Sequence, residues 1–276
     1  MKIGVVGLGL IGGSLAKSAK KNTNFKVYGY DLNKEVIKNA ISENSIDGEL
    51  TQKRLQSCDY VFIPLYPEAV IEYVENNASF FKEGAVVIDC AGVKRCVCDK
   101  CFKIAENNNF SFVGGHPMAG TQYSGFENSK DTMFYNAPFV LTPKENEDIL
   151  TLANAREVIM KLGFGRVSVM TPQKHDKLIA FTSQLAHIVS NAYVKSPSAL
   201  ERKGISAGSY KDLTRVAYLN EDMWTELFIE NKENLIFELD FIISELQRYS
   251  DAIKNDDADR LKRLLREGKE MKLRAD

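Results

Sequence analysis

One of the three histidines of this 276-residue chain, His116, sits between Gly114-Gly115 and Pro117 in the stretch VGGHPMAGTQYSG, residues 113–125. Glycines permit backbone angles that other residues resist, and a proline fixes its own φ and restricts the residue before it to extended geometry. An imidazole held in one direction, with an unperturbed pKa near ~6.5, can take up a proton at neutral pH. The same residues also fit a tight turn whose histidine caps a loop. Two further polar features lie in apolar surroundings. In TPQKHDKLIAFTSQLAHIVSNAYV, steps of three and four from Asp176 give Ala180, Ser183 and His187 on one stripe of a helix. The other faces carry Leu178, Ile179, Phe181, Leu185, Ile188 and Val189. A polar stripe there reads either as a wall facing a pocket or as a buried histidine bonded to a carbonyl. Arg215 stands amid Leu213, Val216, Ala217 and Leu219. Its guanidinium either binds a carboxylate through two parallel hydrogen bonds or pairs with Asp212 or Glu221.

A third constellation is built for phosphate. GLGLIGG supplies Gly7-x-Gly9-x-x-Gly12, directly after the apolar run IGVV and directly before a helical pattern. The first glycine makes the tight turn, the second lets a pyrophosphate approach the backbone, and the third packs helix on strand. The backbone N–H groups from Gly9 through Leu10, Ile11 and Gly12 then face the anion at the helix N-terminus. Asp31 ends the next strand, where a carboxylate can accept from ribose hydroxyls and repel a 2′-phosphate. These residues predict a dinucleotide site that favours NAD over NADP.

The elements that must carry these residues follow from the hydrophobic pattern. FKVYGYD, DYVFIPL, GAVVIDC, FSFVGG, APFVLTP and GRVSVM read as strands after the first. Helices alternate with most of them: one opened by Asn33, one from Pro67 to about Asn77, one from Val93 to Glu106 and one near Glu145 to Lys161. Val- and Ile-rich strands alternating with helices predict an α/β fold with a parallel sheet covered on both faces. Beyond Thr171-Pro172 only helical patterns follow, the last a charged amphipathic one. The expected division is a Rossmann-type dinucleotide-binding domain over 1–170 and an all-α domain over 171–276. So many apolar helix faces suggest burial against a second copy, a homodimer.

Composition narrows the function. A net charge of −1 argues against broad nucleic-acid binding, and no apolar run approaches the ~20 residues of a membrane span. The N-terminus begins a strand pattern at once, without an export signal, so the chain reads as cytoplasmic. Five cysteines, an odd count, argue against a disulfide framework. The CVCDKC cluster lacks a second pair of ligands to complete a metal site, so no metal is expected.

The motifs GLGLIGGSLA, DCAGVK, GGHPMAGTQYSG, VLTP, TPQKHDKLIAFTSQLAH, KDLTRVA and DMW, in that order, resemble those of the prephenate dehydrogenases, including arogenate and cyclohexadienyl dehydrogenases. The resemblance covers nearly the whole chain. It implies a Rossmann domain, a helical dimerisation domain and an active site in the cleft between them. The implied reaction is oxidative decarboxylation of prephenate to 4-hydroxyphenylpyruvate with NAD, on the route to tyrosine. By position, His116 matches the catalytic histidine that bonds the ring C4 hydroxyl. Arg215 matches the arginine that holds a substrate carboxylate, and His187, with Ser183 on the same helix, would line the substrate pocket. Gly7, Gly9, Gly12 and Asp31 match the dinucleotide residues.

Two departures stand out. Many members carry a serine that supports the catalytic histidine where this chain has Gly92, which leaves Thr121, Ser124 or a water to fill in. The helix motif reads Ser183-Gln184-Leu185-Ala186-His187, without one histidine and a proline, which bears on the choice between prephenate and arogenate. A related two-domain β-hydroxyacid dehydrogenase or reductase would instead use a lysine such as Lys174 or Lys177. An NAD-binding sensor without catalysis would need neither His116 nor Arg215.

Overall fold

The computed structural model describes residues 1–121, 123–202, 204–205 and 207–275; Gln122 of the His116 motif lies outside them. Eight strands form one sheet: β1 (Lys2–Val6), β2 (Lys26–Tyr30), β3 (Gly48–Glu49), β4 (Tyr60–Ile63), β5 (Val86–Asp89), β6 (Ser111–Pro117), β7 (Pro138–Thr142) and β8 (Arg166–Val169). Their spatial order is β3-β2-β1-β4-β5-β6-β7-β8. Six helices of four or more residues lie between them: α1 (Leu10–Asn22), α2 (Lys34–Ser42), α3 (Gln52–Leu55), α4 (Pro67–Asn77), α5 (Arg95–Glu106) and α6 (Ile149–Lys161).

Alternate side chains of the central strands leave opposite faces of the sheet, and both faces are dry. Ile3, Val5, Phe62, Ile88 and Val113 pack under α1 and α6, while Val6, Val61, Ile63, Val87 and Phe112 pack under α4 and α5. That two-sided burial is why these strands read as near-continuous apolar runs. The expected parallel sheet needs one correction. β6 and β7 pair antiparallel, with His116 opposite Val140, while every other neighbouring pair is parallel. Among the described residues, the chain between them holds a short 3₁₀ turn at Phe126–Asn128 and no helical crossover of the kind a parallel return requires.

Local chemistry sets the helix boundaries. Asn33 accepts from Glu35 N and opens α2, as the sequence indicates. Asp148 accepts from Thr151 N at 2.8 Å, so α6 begins at Ile149 rather than near Glu145. α5 begins at Arg95, two residues later than its apolar pattern suggests.

After β8 every described element is helical: α7 (Pro172–Ile179), a π-helical segment (Ala180–Leu185), α8 (Ala186–Tyr193), α9 (Ser198–Glu201), α10 (Gly208–Thr214), α11 (Glu221–Glu230), α12 (Lys232–Lys254) and α13 (Ala258–Ala275). Thr171 caps α7 and Pro172 occupies its first turn. Phe237, Phe241, Ile243 and Leu246 on α12 are each more than half exposed. Among the described residues no helix is long and apolar enough to cross a membrane.

Candidate active site

His116 is a strand residue, not a loop or turn residue, and this corrects the turn-capping alternative. Its glycine neighbours do not adopt left-handed angles. They are small because β6 is crowded: a Cβ on Gly115 would collide with Asp89 O and lie 2.6 Å from Ile88 Cγ2, and one on Gly114 would lie 2.5 Å from Cys98 Sγ. Gly115 is held by both of its backbone groups. Its N–H donates to Asp89 Oδ1 at 3.0 Å, and its carbonyl accepts from Lys94 Nζ at 2.7 Å. Asp89 and Lys94 also pair with each other, both side chains fully buried. Two buried opposite charges that share a strand's backbone groups fix the residue beside His116 in three dimensions.

The imidazole of His116 meets a second one. Its Nδ1 lies 2.9 Å from Nε2 of His175 on α7, with the rings edge to face. His175 Nδ1 lies 2.7 Å from Asp176 Oδ1. The Asp176 carboxylate also accepts from Lys94 N at 2.8 Å and Arg95 N at 2.9 Å, so it serves the first residues of α5 from another element. Its carbonyl accepts from Asn231 Nδ2, which also donates to Gln184 Oε1, and Gln184 Nε2 donates to Leu227 O, each at 2.8 Å. Burial lowers the pKa of His116 well below the ordinary histidine value, and burial lowers His175 too, against the opposing pull of Asp176. Both rings are neutral at pH 7.

Nothing local in the sequence marks His175, Lys94 and Asp89 as site residues. Their signals are slight: His175-Asp176 is a dipeptide inside an apolar helix, and Asp89 and Lys94 bound the motif DCAGVK. What was missing was the partner of each, which lies on a different element. At the serine position of that motif, Gly92 faces Leu227 rather than an open pocket: a Cβ there would lie 3.2 Å from both of its δ carbons. The group that touches His116 is His175. It is not Thr121, whose hydroxyl donates to Tyr123 O, and no hydrogen bond joins Ser124 to His116.

The expected single stripe on the helix after residue 171 splits in two. Asp176, Ala180 and Gln184 are buried together toward Asn231, whereas Ser183 and His187 lie half-buried on another side. The π-helical turn between them inserts an extra residue into the repeat and turns the later positions away. His187 donates from Nδ1 to Ser183 O at 2.8 Å, and its ring lies over Trp224 with centroids 4.0 Å apart. Burial lowers its pKa, and the positive charge of Arg215 lowers it further. Arg215 itself is exposed rather than embedded, and among the described residues it makes no ion pair with Asp212 or Glu221. The structure therefore brings His187 and Trp224 into contact, within the field of the Arg215 charge, and His116, His175 and Asp176 together as a separate cluster.

The glycine turn after β1 has the geometry its residues suggest. Gly7 sits at φ +93° and donates to Tyr30 O at 2.7 Å. A Cβ on Gly12 would collide with Gly7 O, while one on Gly9 would meet nothing within 4 Å, so the space in front of Gly9 is open to a ligand. Gly9 starts α1 with no side-chain cap and no acidic residue in the first turn. Asp31 accepts from Leu8 N at 2.8 Å and Asn33 N at 2.9 Å and borders a cleft of about 590 Å³ with Gly7, Tyr30 and Leu65. An uncapped helix N-terminus, an open glycine and a carboxylate at the end of β2 fit a dinucleotide. Burial pushes the Cys98 thiol up to about 12, and no group of three or more ligating side chains gathers among the described residues.

A dinucleotide-binding sheet joined to a helical domain, with a half-buried imidazole at the end of β6, defines a two-domain dehydrogenase architecture. Residues 15–175 match the family model described as prephenate dehydrogenase, nucleotide-binding domain, and residues 171–267 match prephenate dehydrogenase, dimerization domain. The chain belongs to the prephenate dehydrogenase family. It is 29% identical over 282 residues to the cyclohexadienyl dehydrogenase of Zymomonas mobilis, covering 98% of this chain and 94% of that one. The structure of a prephenate dehydrogenase from A. aeolicus in complex with hydroxyphenyl propionate and NAD+ superposes with a TM-score of 0.87 at 29% identity, over 100% of this chain and 98% of that one. A Synechocystis arogenate dehydrogenase structure gives 0.84 at 28% identity, with both chains fully covered.

Proposed function

We propose that this chain is an NAD-dependent prephenate dehydrogenase: residues 1–170 hold the cofactor, 171–276 complete the substrate site and pair two copies, and the product is 4-hydroxyphenylpyruvate. His116 carries the proposal. It is a strand-held imidazole with one ring nitrogen occupied, and burial keeps it a neutral base at pH 7. Gly7, Gly9, Leu10, Ile11, Gly12 and Asp31 would hold NAD, whose nicotinamide supplies a hydride acceptor for ring carbon C4. His116 takes the proton of the C4 hydroxyl as that carbon gains carbonyl character. The carboxylate at C1 then leaves as carbon dioxide and the ring becomes aromatic. Arg215, which forms no ion pair among the described residues, binds a substrate carboxylate, and His187 on its Trp224 platform lines the pocket together with Ser183.

Lysine-based chemistry of the β-hydroxyacid dehydrogenase kind has no support. Lys174 and Lys177 are exposed on the side of α7 opposite His175 and Asp176. The exposed apolar side chains of α12 support a homodimer, and five free cysteines fit a reducing compartment, the cytoplasm. Following NADH absorbance with prephenate and arogenate side by side tests the function. Higher kcat/KM with prephenate is expected; preference for arogenate transfers the assignment to arogenate dehydrogenase, and turnover of neither removes it.

A further inference from the structure

Hydrogen-bond arithmetic along Asp176, His175 and His116 leaves one arrangement of protons. Both oxygens of the Asp176 carboxylate accept backbone N–H groups, from Lys94 and Arg95. The carboxylate therefore acts as an acceptor toward His175, and the Nδ1 atom 2.7 Å away carries the hydrogen. In a neutral imidazole the opposite nitrogen is then a bare lone pair. That nitrogen, Nε2 of His175, faces Nδ1 of His116 at 2.9 Å, so Nδ1 of His116 must donate. The only ring nitrogen left without hydrogen on His116 is Nε2. Burial, which favours the neutral form of both rings, agrees with this assignment.

We propose that His175, backed by Asp176, is the positioning residue that fixes His116 in the tautomer whose Nε2 accepts the substrate proton, and that steadies the imidazolium formed when the proton arrives. The identity of the hydroxyl rests on the prephenate assignment above. In the step, the O–H bond of the substrate hydroxyl breaks and an N–H bond forms at His116 Nε2. The positive charge on His116 strengthens its Nδ1–H bond to His175, whose own Nδ1–H leans on the Asp176 carboxylate. Decarboxylation leaves the ring oxygen as a phenolate, and the proton passes from Nε2 back to it, so the product leaves as a phenol and His116 is neutral again. His175 never touches substrate. A ring in the other tautomer would present N–H to the hydroxyl and could not take its proton, as in any acid–base site whose orienting partner is lost. Two buried hydrogen-bond networks hold the backbone on either side of this contact. Asn231 and Gln184 hold the backbone of Asp176, and the Asp89–Lys94 pair holds the backbone of Gly115.

With only three histidines, the ring nitrogens can be read directly by long-range proton–nitrogen correlation on ¹⁵N-histidine protein, assigned by omission of one histidine at a time. In the unmodified enzyme His116 and His175 should each show hydrogen on Nδ1 and a bare Nε2. His175→Phe keeps a ring but no acceptor. Its kcat should fall roughly 10²-fold, the lower end of what a general base contributes, with KM for prephenate and Kd for NAD within about threefold. His175→Gln, whose Oε1 can accept from His116 Nδ1, should recover most of that loss. Hydrogen on Nε2 of His116 in the unmodified enzyme, or a His175→Phe kcat within about threefold of the original, overturns the proposal. If the unmodified enzyme turns over neither prephenate nor arogenate, the substrate assignment falls, and the nitrogen spectrum alone then decides the tautomer.

Discussion

Lys94 donates its backbone N–H to the Asp176 oxygen that also faces His175, at 2.8 Å and across 82 residues of sequence, while its buried ammonium pairs with Asp89 and bonds Gly115 O. One residue thus ties β5, β6 and α7 together around His116. Lys94→Met would leave the Asp89 carboxylate buried without a cation. Loss of one partner from a buried pair costs about 3–5 kcal/mol, whereas loss of both is far milder. Urea unfolding should show a drop of that size for Lys94→Met and partial recovery in the Asp89→Asn/Lys94→Met double variant. Equal stability of the single variant and the unmodified protein contradicts the role.

Cofactor choice should follow Asp31. Its carboxylate borders the cleft beside Gly7 and would repel a 2′-phosphate, so kcat/KM should favour NAD over NADP. Asp31→Ser should narrow the gap. It should also cost roughly 1 kcal/mol of stability, because the side chain accepts from Leu8 N and Asn33 N. Equal use of both cofactors by the unmodified enzyme refutes this.

Arg215 should act on substrate binding. Arg215→Ala removes a charged hydrogen-bonding group worth about 1.5–3 kcal/mol, so KM for prephenate should rise roughly 10- to 100-fold. Because Arg215 is exposed and makes no ion pair with Asp212 or Glu221, melting temperature and NAD affinity should hold. An unchanged KM assigns it no part in the site.

Stability should fall in mild acid, with a sign set by the histidines. Burial lowers His116, His175 and His187 below the ordinary value of ~6.5. The unfolded chain therefore binds protons below about pH 6.5 that the folded chain refuses, and stability declines as pH falls through that region toward the lowered values. The decline begins above the range near ~4 in which carboxylates titrate. Urea midpoints at pH 7.5 and 5 should differ, and His175→Gln should shrink the difference. Identical midpoints in the unmodified protein contradict it.

Much of the scaffold was legible in sequence because the signals were local. The Gly7–Gly12 turn, the Asn33 cap and the Val- and Ile-rich strands each depend on neighbours within a few residues. The antiparallel β6–β7 pair was not legible from strand patterns, since pairing direction leaves no mark on which residues alternate. Gly114 and Gly115 were read as angular freedom, but their requirement is space against Cys98, Ile88 and Asp89, which belong to other elements. The stripe from Asp176 to His187 failed at the π-helical turn, because one inserted residue breaks the three-and-four repeat. His175 stayed hidden for a related reason: its role exists only in its distance to His116, 59 residues away.

The proposed role of His116 as the base is tested by one variant measured two ways. His116→Asn keeps a polar side chain on β6 and the pairing with Val140, but it cannot take up a proton at neutral pH. Its kcat should drop about 10²–10⁴-fold, while melting temperature and NAD affinity stay close to those of the unmodified enzyme. The unmodified enzyme should lose kcat only at acid pH, below the ordinary histidine range, since burial lowers the pKa of His116 and activity needs the neutral ring. The variant should lack that limb. A variant with kcat within a few-fold of the original and a lowered melting temperature would make His116 a structural residue and contradict the account.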